Sequence, residues 1–155
     1  MLSKVLEKQK CAECKICCEF DKADEWEIPV INEKLKKQLD EQNVKTICVN
    51  GCYKYDLEFK GEEIKNCPFH SKEIGCVLDE ENKPFDCKIW PLRVMNKNGK
   101  KVLAIAKLCP NFKNDKTDLL NFIDEELEGI IREYISKNPY LINDFKSDYE
   151  VLKEL

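Results

Sequence analysis

Long apolar runs are missing from this sequence, and no stretch approaches the roughly 18 apolar residues that a membrane helix requires. The first ten residues also lack the apolar core of a secretory signal peptide. Only five glycines and one histidine occur, with no Gly-rich cofactor loop, His-centred acid–base pair or nucleophile elbow. These absences predict a cytoplasmic protein with no membrane partner, and they leave an enzymatic activity without a recognisable motif.

The composition predicts a folded chain with a modest core of its own. Hydrophobic residues make up 43% and charged residues 36% of the 155 residues, which fits one domain. The net charge of −4 argues against a general nucleic-acid binder, since phosphate affinity comes from clustered basic residues. The local basic patch is interpreted as a solvated hairpin, not as a polyanion contact; it comprises Lys97, Lys100, Lys101 and Lys107.

The hydrophobic pattern predicts an α+β fold: a small, cysteine-rich, metal-stabilised domain with a short β-hairpin or sheet and flanking helices. Residues 2–20 suggest a helix that the first cysteines interrupt. Residues 30–42 carry an apolar stripe with a spacing of four, which is typical of an amphipathic helix. Residues 53–60 alternate apolar and polar side chains, which predicts a strand, and residues 67–88 have the composition of a loop.

The pattern then predicts a hairpin and a pair of C-terminal helices. Strands over 89–95 and 102–107 flank Asn98-Gly99, whose residues accept positive φ. A helix should begin near Asp115 or Thr117 and end at Asn138-Pro139, and a second should run from Tyr140 or Leu141 to the end. The apolar stripe predicted for the first of these helices is Leu120, Ile123, Leu127, Ile130 and Tyr134. We therefore expect a cysteine-rich part over 1–114, covered by a helical lid over 115–155.

Ten cysteines are the feature that requires an explanation. Cytoplasmic reductants keep thiols reduced, so metal binding is a better interpretation than a disulfide framework. The run Cys11-x2-Cys14-x2-Cys17-Cys18 repeats the spacing with which two sulfurs grip one ion, and it resembles the run that supplies ligands to a ferredoxin cubane. Side chains of adjacent residues are expected to diverge, so Cys17 and Cys18 should serve two centres or one polynuclear centre.

Further cysteines would complete such a site. With the first four, they make eight thiolates, enough for two tetrahedral zinc sites, two four-iron cubanes or a mixture. These additional candidate ligands are Cys67, Cys76, Cys87 and Cys109. Cys48 and Cys52 are interpreted as small buried hydrophobes, although their spacing permits chelation. His70 is interpreted as a packing residue, although a mixed Cys/His zinc site could use it. Phe85 and Trp90 flank Cys87 and are expected to shield the metal from water.

These motifs resemble the zinc- or iron-chelating cysteine-cluster family, which is named for its Cys-x2-Cys-x2-Cys-Cys signature. Its members continue with Cys-Pro-Phe-Leu, Gly-Cys and Arg-Pro-x-x-Cys-Arg-x-x-Pro. This chain has Cys-Pro-Phe-His at 67–70, Gly-Cys at 75–76 and Lys-Pro-Phe-Asp-Cys-Lys-Ile-Trp-Pro at 83–91. The resemblance covers roughly residues 11–110 and implies metal chelation without an established reaction.

This chain departs from the family pattern at three positions, and each departure bears on the role predicted for that residue. Lys83 and Lys88 replace two family arginines, which keeps the charge but loses bidentate geometry. His70 replaces an apolar residue, which supports a packing role. Three function classes stay open: a zinc- or iron-binding module, an iron–sulfur electron-transfer protein, and a metal-dependent protein-modifying enzyme, because flagellin lysine methylating proteins carry a similar cluster. Thiolate-rich sites suit both zinc and iron, so the ligands alone do not select the metal.

Overall fold

The structure, a computed structural model, describes residues 1–6, 8–49, 51–61, 63–71 and 73–155. Helices and short sheets are both present, so the predicted α+β class is confirmed. The chain divides into two compact units. We call Cys11–Lys88 the cysteine unit, and Met1–Lys10 together with Ile89–Leu155 the sheet unit. The hairpin therefore groups with the C-terminal segment, and the division does not follow the expected boundary near residue 114.

The cysteine unit consists of short elements. Its helices are α1, which begins at Lys8, and α2, and its strands form three two-stranded antiparallel pairs, β1–β4, β2–β3 and β5–β6. The bounds of these elements are α1 Lys8–Cys14, β1 Glu19–Phe20, α2 Glu33–Glu41, β2 Thr46–Val49, β3 Cys52–Tyr55, β4 Lys65–Asn66, β5 His70–Ser71 and β6 Gly75–Cys76. Helix α3, Phe85–Ile89, begins in this unit, within the segment for which a loop was predicted.

The predicted amphipathic helix is confirmed as α2. The Asn32 side chain caps it by accepting a hydrogen bond from the backbone N–H of Leu35 at 2.8 Å. Leu35 and Leu39 are completely buried, as the spacing of four predicts. Around them lies a small core that includes Phe20, Ile28, Ile31, Tyr55 and Phe69.

The strand predicted over 53–60 is shorter than expected. β3 ends at Tyr55, and Glu58 has a φ of +48°, which lies outside extended geometry. Its partner β2 precedes it, and Gly51 adopts a φ of +79° in the connecting turn; Asn50 lies outside the described residues. Leu57 and Phe59 still pack against the core from this irregular segment. The alternating pattern thus identified residues whose side chains face the core, although the pairing of β3 with β2 ends at Tyr55.

The sheet unit contains the most regular structure of the chain. Strands β7 Leu92–Lys97 and β8 Lys100–Ala106 form the predicted hairpin, with Asn98 at φ +54° and Gly99 at φ +83°. The complete sheet has the order β10-β8-β7-β9, where β9 is Asn143–Asp144 and β10 is Tyr149–Glu154. Ile89 lies in α3, so the prediction that the first strand begins at this residue is wrong.

The long C-terminal helix is confirmed, but its buried face differs from the predicted stripe. It comprises α4 Thr117–Phe122, a π-helical segment Ile123–Leu127 and α5 Glu128–Lys137. Leu120 and Ile130 are exposed, at 37% and 48%. The residues that are buried instead include Leu119, Ile123, Leu127, Ile131 and Ile135. A repeat of four fits a helix that is locally wider than an α-helix, and the π-helical segment supplies that widening.

The prediction of a second C-terminal helix, from Tyr140 or Leu141 to the end, is wrong. Pro139–Leu141 form one 3-10 turn, and β10 then pairs with β8 in antiparallel register from Tyr149 to Glu154. Lys153 contacts the carboxylates of Asp124 and Glu128 from this strand. The C-terminus therefore contributes a sheet edge. The covering role expected for residues 115–155 stays a prediction.

No helix in the described part of the chain is both long and apolar enough to cross a membrane.

Candidate metal centre

The first two cysteines lie on one short helix. Cys11 and Cys14 are three residues apart in α1, so their side chains share a face. Both residues are partly buried. Lys15 follows with a left-handed φ of +59°, and its N–H donates to the carbonyl of Cys11 at 3.3 Å. This residue ends the helix and redirects the chain into a 3-10 turn over Ile16–Cys18.

The turn brings the two adjacent cysteines together. The Sγ atoms of Cys17 and Cys18 lie 3.8 Å apart. The expectation that these side chains diverge is therefore wrong, because a 3-10 turn does not alternate its side chains as an extended strand does. Two sulfurs on one tetrahedral zinc, each bound at about 2.3 Å, would also be separated by about 3.8 Å.

A backbone ladder connects the first cysteine run to Cys67. The N–H of Cys67 donates to the carbonyl of Cys18 at 2.7 Å, directly beside the β1–β4 pairing of Glu19 with Asn66. The interaction with the Cys67 thiol raises the pKa of Cys18. Cys67 also packs against the small core of the unit. Residues far apart in sequence thus meet through two very short strands.

Cys76 and Cys87 lie on elements that are also tied into this unit. Cys76 stands opposite His70 in the β5–β6 pair, and the N–H of His70 donates to the Cys67 carbonyl at 3.0 Å. Cys87 lies in α3, whose Asp86 carboxylate accepts a hydrogen bond from the N–H of Val30 at 3.3 Å. Both cysteines are partly buried.

The thiols influence one another's ionisation. Burial raises the pKa of Cys11, and charges on Cys17 and Cys14 raise it further, whereas Lys83 lowers it. The hydrogen bond with Cys18, together with burial, raises the pKa of Cys17. For Cys18 the hydrogen bond with Cys17 lowers the pKa. The interaction with Cys67, burial, and charges on Cys67 and Cys76 outweigh this effect and raise the pKa to about 12.

These interactions divide the cysteines into two groups. The first cysteine set is Cys11, Cys14 and Cys17, which interact around Cys11. The second cysteine set is defined by its effect on Tyr55: burial raises the pKa of the phenol, and charges on all four members raise it further. Its members are Cys18, Cys67, Cys76 and Cys87. Cys17 and Cys18 are the point at which the two sets touch.

Three cysteines do not join these sets. Cys109 belongs to the sheet unit, where it is 2% exposed and precedes the 3-10 turn Pro110–Phe112. Cys48 pairs with Tyr53 and Cys52 pairs with Val49 in the β2–β3 ladder. Directly opposed residues share a face and consecutive residues alternate, so Cys48 and Cys52 point to opposite faces of the hairpin. They cannot chelate one ion together.

The sulfurs do not converge on one point in this structure. Among the residues that the structure describes, no group of three or more His, Cys, Asp or Glu side chains could hold a metal ion as placed. All ten cysteines lie within the described ranges, and none of them forms a disulfide. The arrangement is one of neighbouring thiols with soft sulfur donors, a chemistry that suits zinc, iron and iron–sulfur clusters.

Tyr55 is the site residue that sequence reasoning missed. Its side chain is 1% exposed, and its hydroxyl is buried without a hydrogen-bond partner in the described part of the chain. The alternating strand pattern predicted an inward side chain there, but nothing in the sequence links residue 55 to the cysteines. His70 likewise has a buried Nε2 for which the described residues supply no partner.

Comparison with known proteins adds no relative: no family model, curated protein or solved structure matches the chain.

Proposed function

We propose that this protein binds metal through the cysteines of the cysteine unit, as a member of the zinc- or iron-chelating cysteine-cluster family. The observation that carries the proposal is the contact between Cys17 and Cys18, at 3.8 Å, beside the backbone bond from Cys67 to Cys18. The seven cysteines of the two sets come from four separate elements and one loop, and all of them belong to one small unit. Buried filler would not require this grouping, because a small hydrophobe needs only apolar neighbours.

The chemistry of the thiols supports the same proposal. Burial raises the pKa of Cys11, and for Cys18 the interaction with Cys67 and burial outweigh the lowering by Cys17; charges on neighbouring thiols raise both pKa values further. A bound cation reverses that effect, because a coordinated thiol loses its proton outright. Binding would require the thiols to rotate from the positions seen here, and staggered χ1 rotamers make such rotation available. The reducing cytoplasm, where we place the protein, keeps the cysteines available as thiols.

The division into two sets supports two metal sites or one polynuclear site. The second cysteine set supplies four thiolates, the number that a closed structural zinc site or a cubane takes. The first cysteine set supplies three thiolates, and Cys109 stays a candidate ligand from the sequence. Zinc or iron would give the unit a cross-link that its short strands cannot provide.

An iron–sulfur electron-transfer protein is the second candidate, favoured by one observation. Cys17 and Cys18 bring the two sets into contact, and a polynuclear cluster would use both sulfurs at once. Such a cluster would carry electrons, whereas zinc would not because it has no redox chemistry.

Metal analysis after purification without air tests both candidates. We expect either about two zinc ions per chain with no acid-labile sulfide, or iron with sulfide and a brown colour that bleaches in air. The first result would exclude the electron-transfer candidate, and the second would exclude zinc. Protein that holds neither metal and takes up none on reconstitution would overturn metal binding itself.

Matched serine variants assign the ligands. Cys14→Ser and Cys67→Ser each remove one thiol from one set, and we expect lower metal content and lower solubility. Cys48→Ser is the control because Cys48 is exposed on the β2–β3 hairpin, and it should keep the full metal content. Equal losses from all three variants would contradict the assignment. Cys109→Ser then tests whether Cys109 is a ligand at all.

A further inference from the structure

The side chain of Tyr55 is held at the end of β3 by the surrounding core. Its backbone pairs with Thr46 across the β2–β3 ladder. Its ring meets the ring of Phe69 edge-to-face, with centroids 6.0 Å apart and an interplanar angle of 66°. Phe69 lies two residues after Cys67, and its carbonyl accepts a hydrogen bond from Val77, the residue after Cys76, at 2.9 Å. The ring is thus held among the backbone segments that carry these two cysteines.

The hydroxyl of Tyr55 lacks the partner that a buried hydroxyl normally has. It is shielded from solvent and makes no hydrogen bond to any residue that the structure describes. Buried polar atoms are nearly always paired, because burial without a hydrogen bond costs free energy. A phenylalanine would fill the same space in an apolar core without this cost. The hydroxyl is therefore available to donate to an acceptor that comes within reach of it.

The second cysteine set supplies that partner. Cys67 packs against the core cluster to which Tyr55 belongs, and the charges of all four cysteines reach the phenol. A thiol is a weak acceptor, whereas a thiolate is an ionised acceptor and forms a stronger, charge-assisted hydrogen bond. Metal binding converts thiols into thiolates.

We propose that the Tyr55 hydroxyl donates a hydrogen bond to a metal-bound thiolate of the second cysteine set and acts as a positioning residue for that site. This inference rests on the proposed metal binding. The O–H orients the sulfur and draws electron density from it, as outer groups do for metal ligands generally. The donor is unpaired before the metal binds and paired afterwards, so part of the free energy of binding comes from satisfying it.

Tyr55→Phe and Tyr53→Phe form a matched pair of variants. Tyr53 lies in the same strand and on the same face, but it is only partly buried and its ring meets the ammonium of Lys36 at 5.0 Å. The probe is Co²⁺, which reports thiolate coordination through charge-transfer absorption and replaces zinc in such sites. Chelator competition measures the affinity, and circular dichroism monitors folding.

We expect Tyr55→Phe to bind Co²⁺ with about 10- to 100-fold lower affinity, the usual effect of removing an outer-shell partner. Its charge-transfer band should move to lower energy, because a thiolate without its hydrogen bond gives up charge more readily. Tyr53→Phe should match the wild type in both measurements. If Tyr55→Phe has wild-type affinity and spectrum, the role of Tyr55 is excluded while metal binding stands. If the wild type binds no Co²⁺, both proposals fail.

A measurement on the folded wild type covers the case in which Tyr55→Phe does not fold. Zinc is added to wild type and to Tyr53→Phe, and the near-ultraviolet absorption of tyrosine is followed. A new hydrogen bond to an anion should shift the tyrosine band equally in both proteins as zinc reaches saturation. Saturation without any tyrosine shift would overturn the inference.

Discussion

The two units differ in what is available to hold them together. The sheet unit has a four-stranded sheet, whose longest strand is Lys100–Ala106, and a helix with a continuous buried face. The cysteine unit has three pairs of strands, two of them only two residues long, around a small core. Strand pairs of this size are marginal in water on their own. The comparison shows that regular strand pairing and apolar burial are extensive in the sheet unit and limited in the cysteine unit, which is the unit in which we propose metal binding.

Removal of metal should produce the largest difference in stability between the two units. Under anaerobic, reducing conditions, a chelator should lower amide protection throughout Cys11–Lys88, because folding and metal binding are coupled where the core is small. Strands β7 and β8 should keep their protection. Hydrogen exchange with mass spectrometry gives both results in one experiment. Equal loss of protection in both units would contradict the comparison, and a loss confined to residues 107–112 within the sheet unit would mark Cys109 as a ligand.

Truncation of two buried leucines tests how much each unit depends on its own apolar core for stability. Leu39 in α2 and Leu119 in α4 are both fully buried helical residues. Truncation to alanine should cost about 2–5 kcal/mol of unfolding free energy in the unit concerned. We expect Leu119→Ala to destabilise the sheet unit equally with and without metal. Leu39→Ala should unfold the metal-free cysteine unit and be tolerated in the loaded one, as urea unfolding will measure.

Alkaline pH should lower the stability against unfolding of the metal-free protein only. The pKa of Cys18 is raised from its ordinary value of 9.0 to about 12, so the folded state holds a proton that the unfolded state releases. Stability is therefore retained below pH 9 and lost as pH rises from 9 toward 12. Thermal unfolding at pH 8 and pH 10 should show a lower midpoint at pH 10 without metal. A loaded sample should change little, because its thiolates are already deprotonated.

The smallest effect is expected from His70→Leu. The Nε2 atom is buried and has no partner among the described residues, so leucine removes an unsatisfied polar atom. Metal content should remain at the wild-type level, and stability should stay equal or rise slightly. A loss of metal would show instead that Nε2 is a ligand, and would change the second cysteine set into a mixed Cys/His site.

Local sequence patterns predicted the elements whose contacts are local. The stripe at Leu35 and Leu39 identified α2, and Asn98-Gly99 identified the hairpin, because each signal and its consequence lie within a few residues. Strand β10 was mistaken for a helix, since its partner β8 lies far back in the sequence. No local signal specifies such a pairing.

The candidate site shows the same limit. The spacing of the cysteines identified candidate ligands, but it did not predict how these side chains are arranged in space. The contact between Cys17 and Cys18 depends on the left-handed conformation of Lys15, and lysine is not a residue that marks that conformation in a sequence. The relation of Tyr55 to the second cysteine set depends on contacts across the sequence, such as that between the rings of Tyr55 and Phe69, and periodicity does not report these.

The sheet unit is assembled from both ends of the chain. Leu2 is 2% exposed and Lys4 pairs with Glu126, so these residues meet native neighbours from which the whole cysteine unit separates them in the sequence. A compact intervening segment shortens the loop that must close and lowers its entropic cost. Under the proposed metal binding, metal that folds the cysteine unit would therefore also speed the folding of the sheet unit, which contains only one of the ten cysteines.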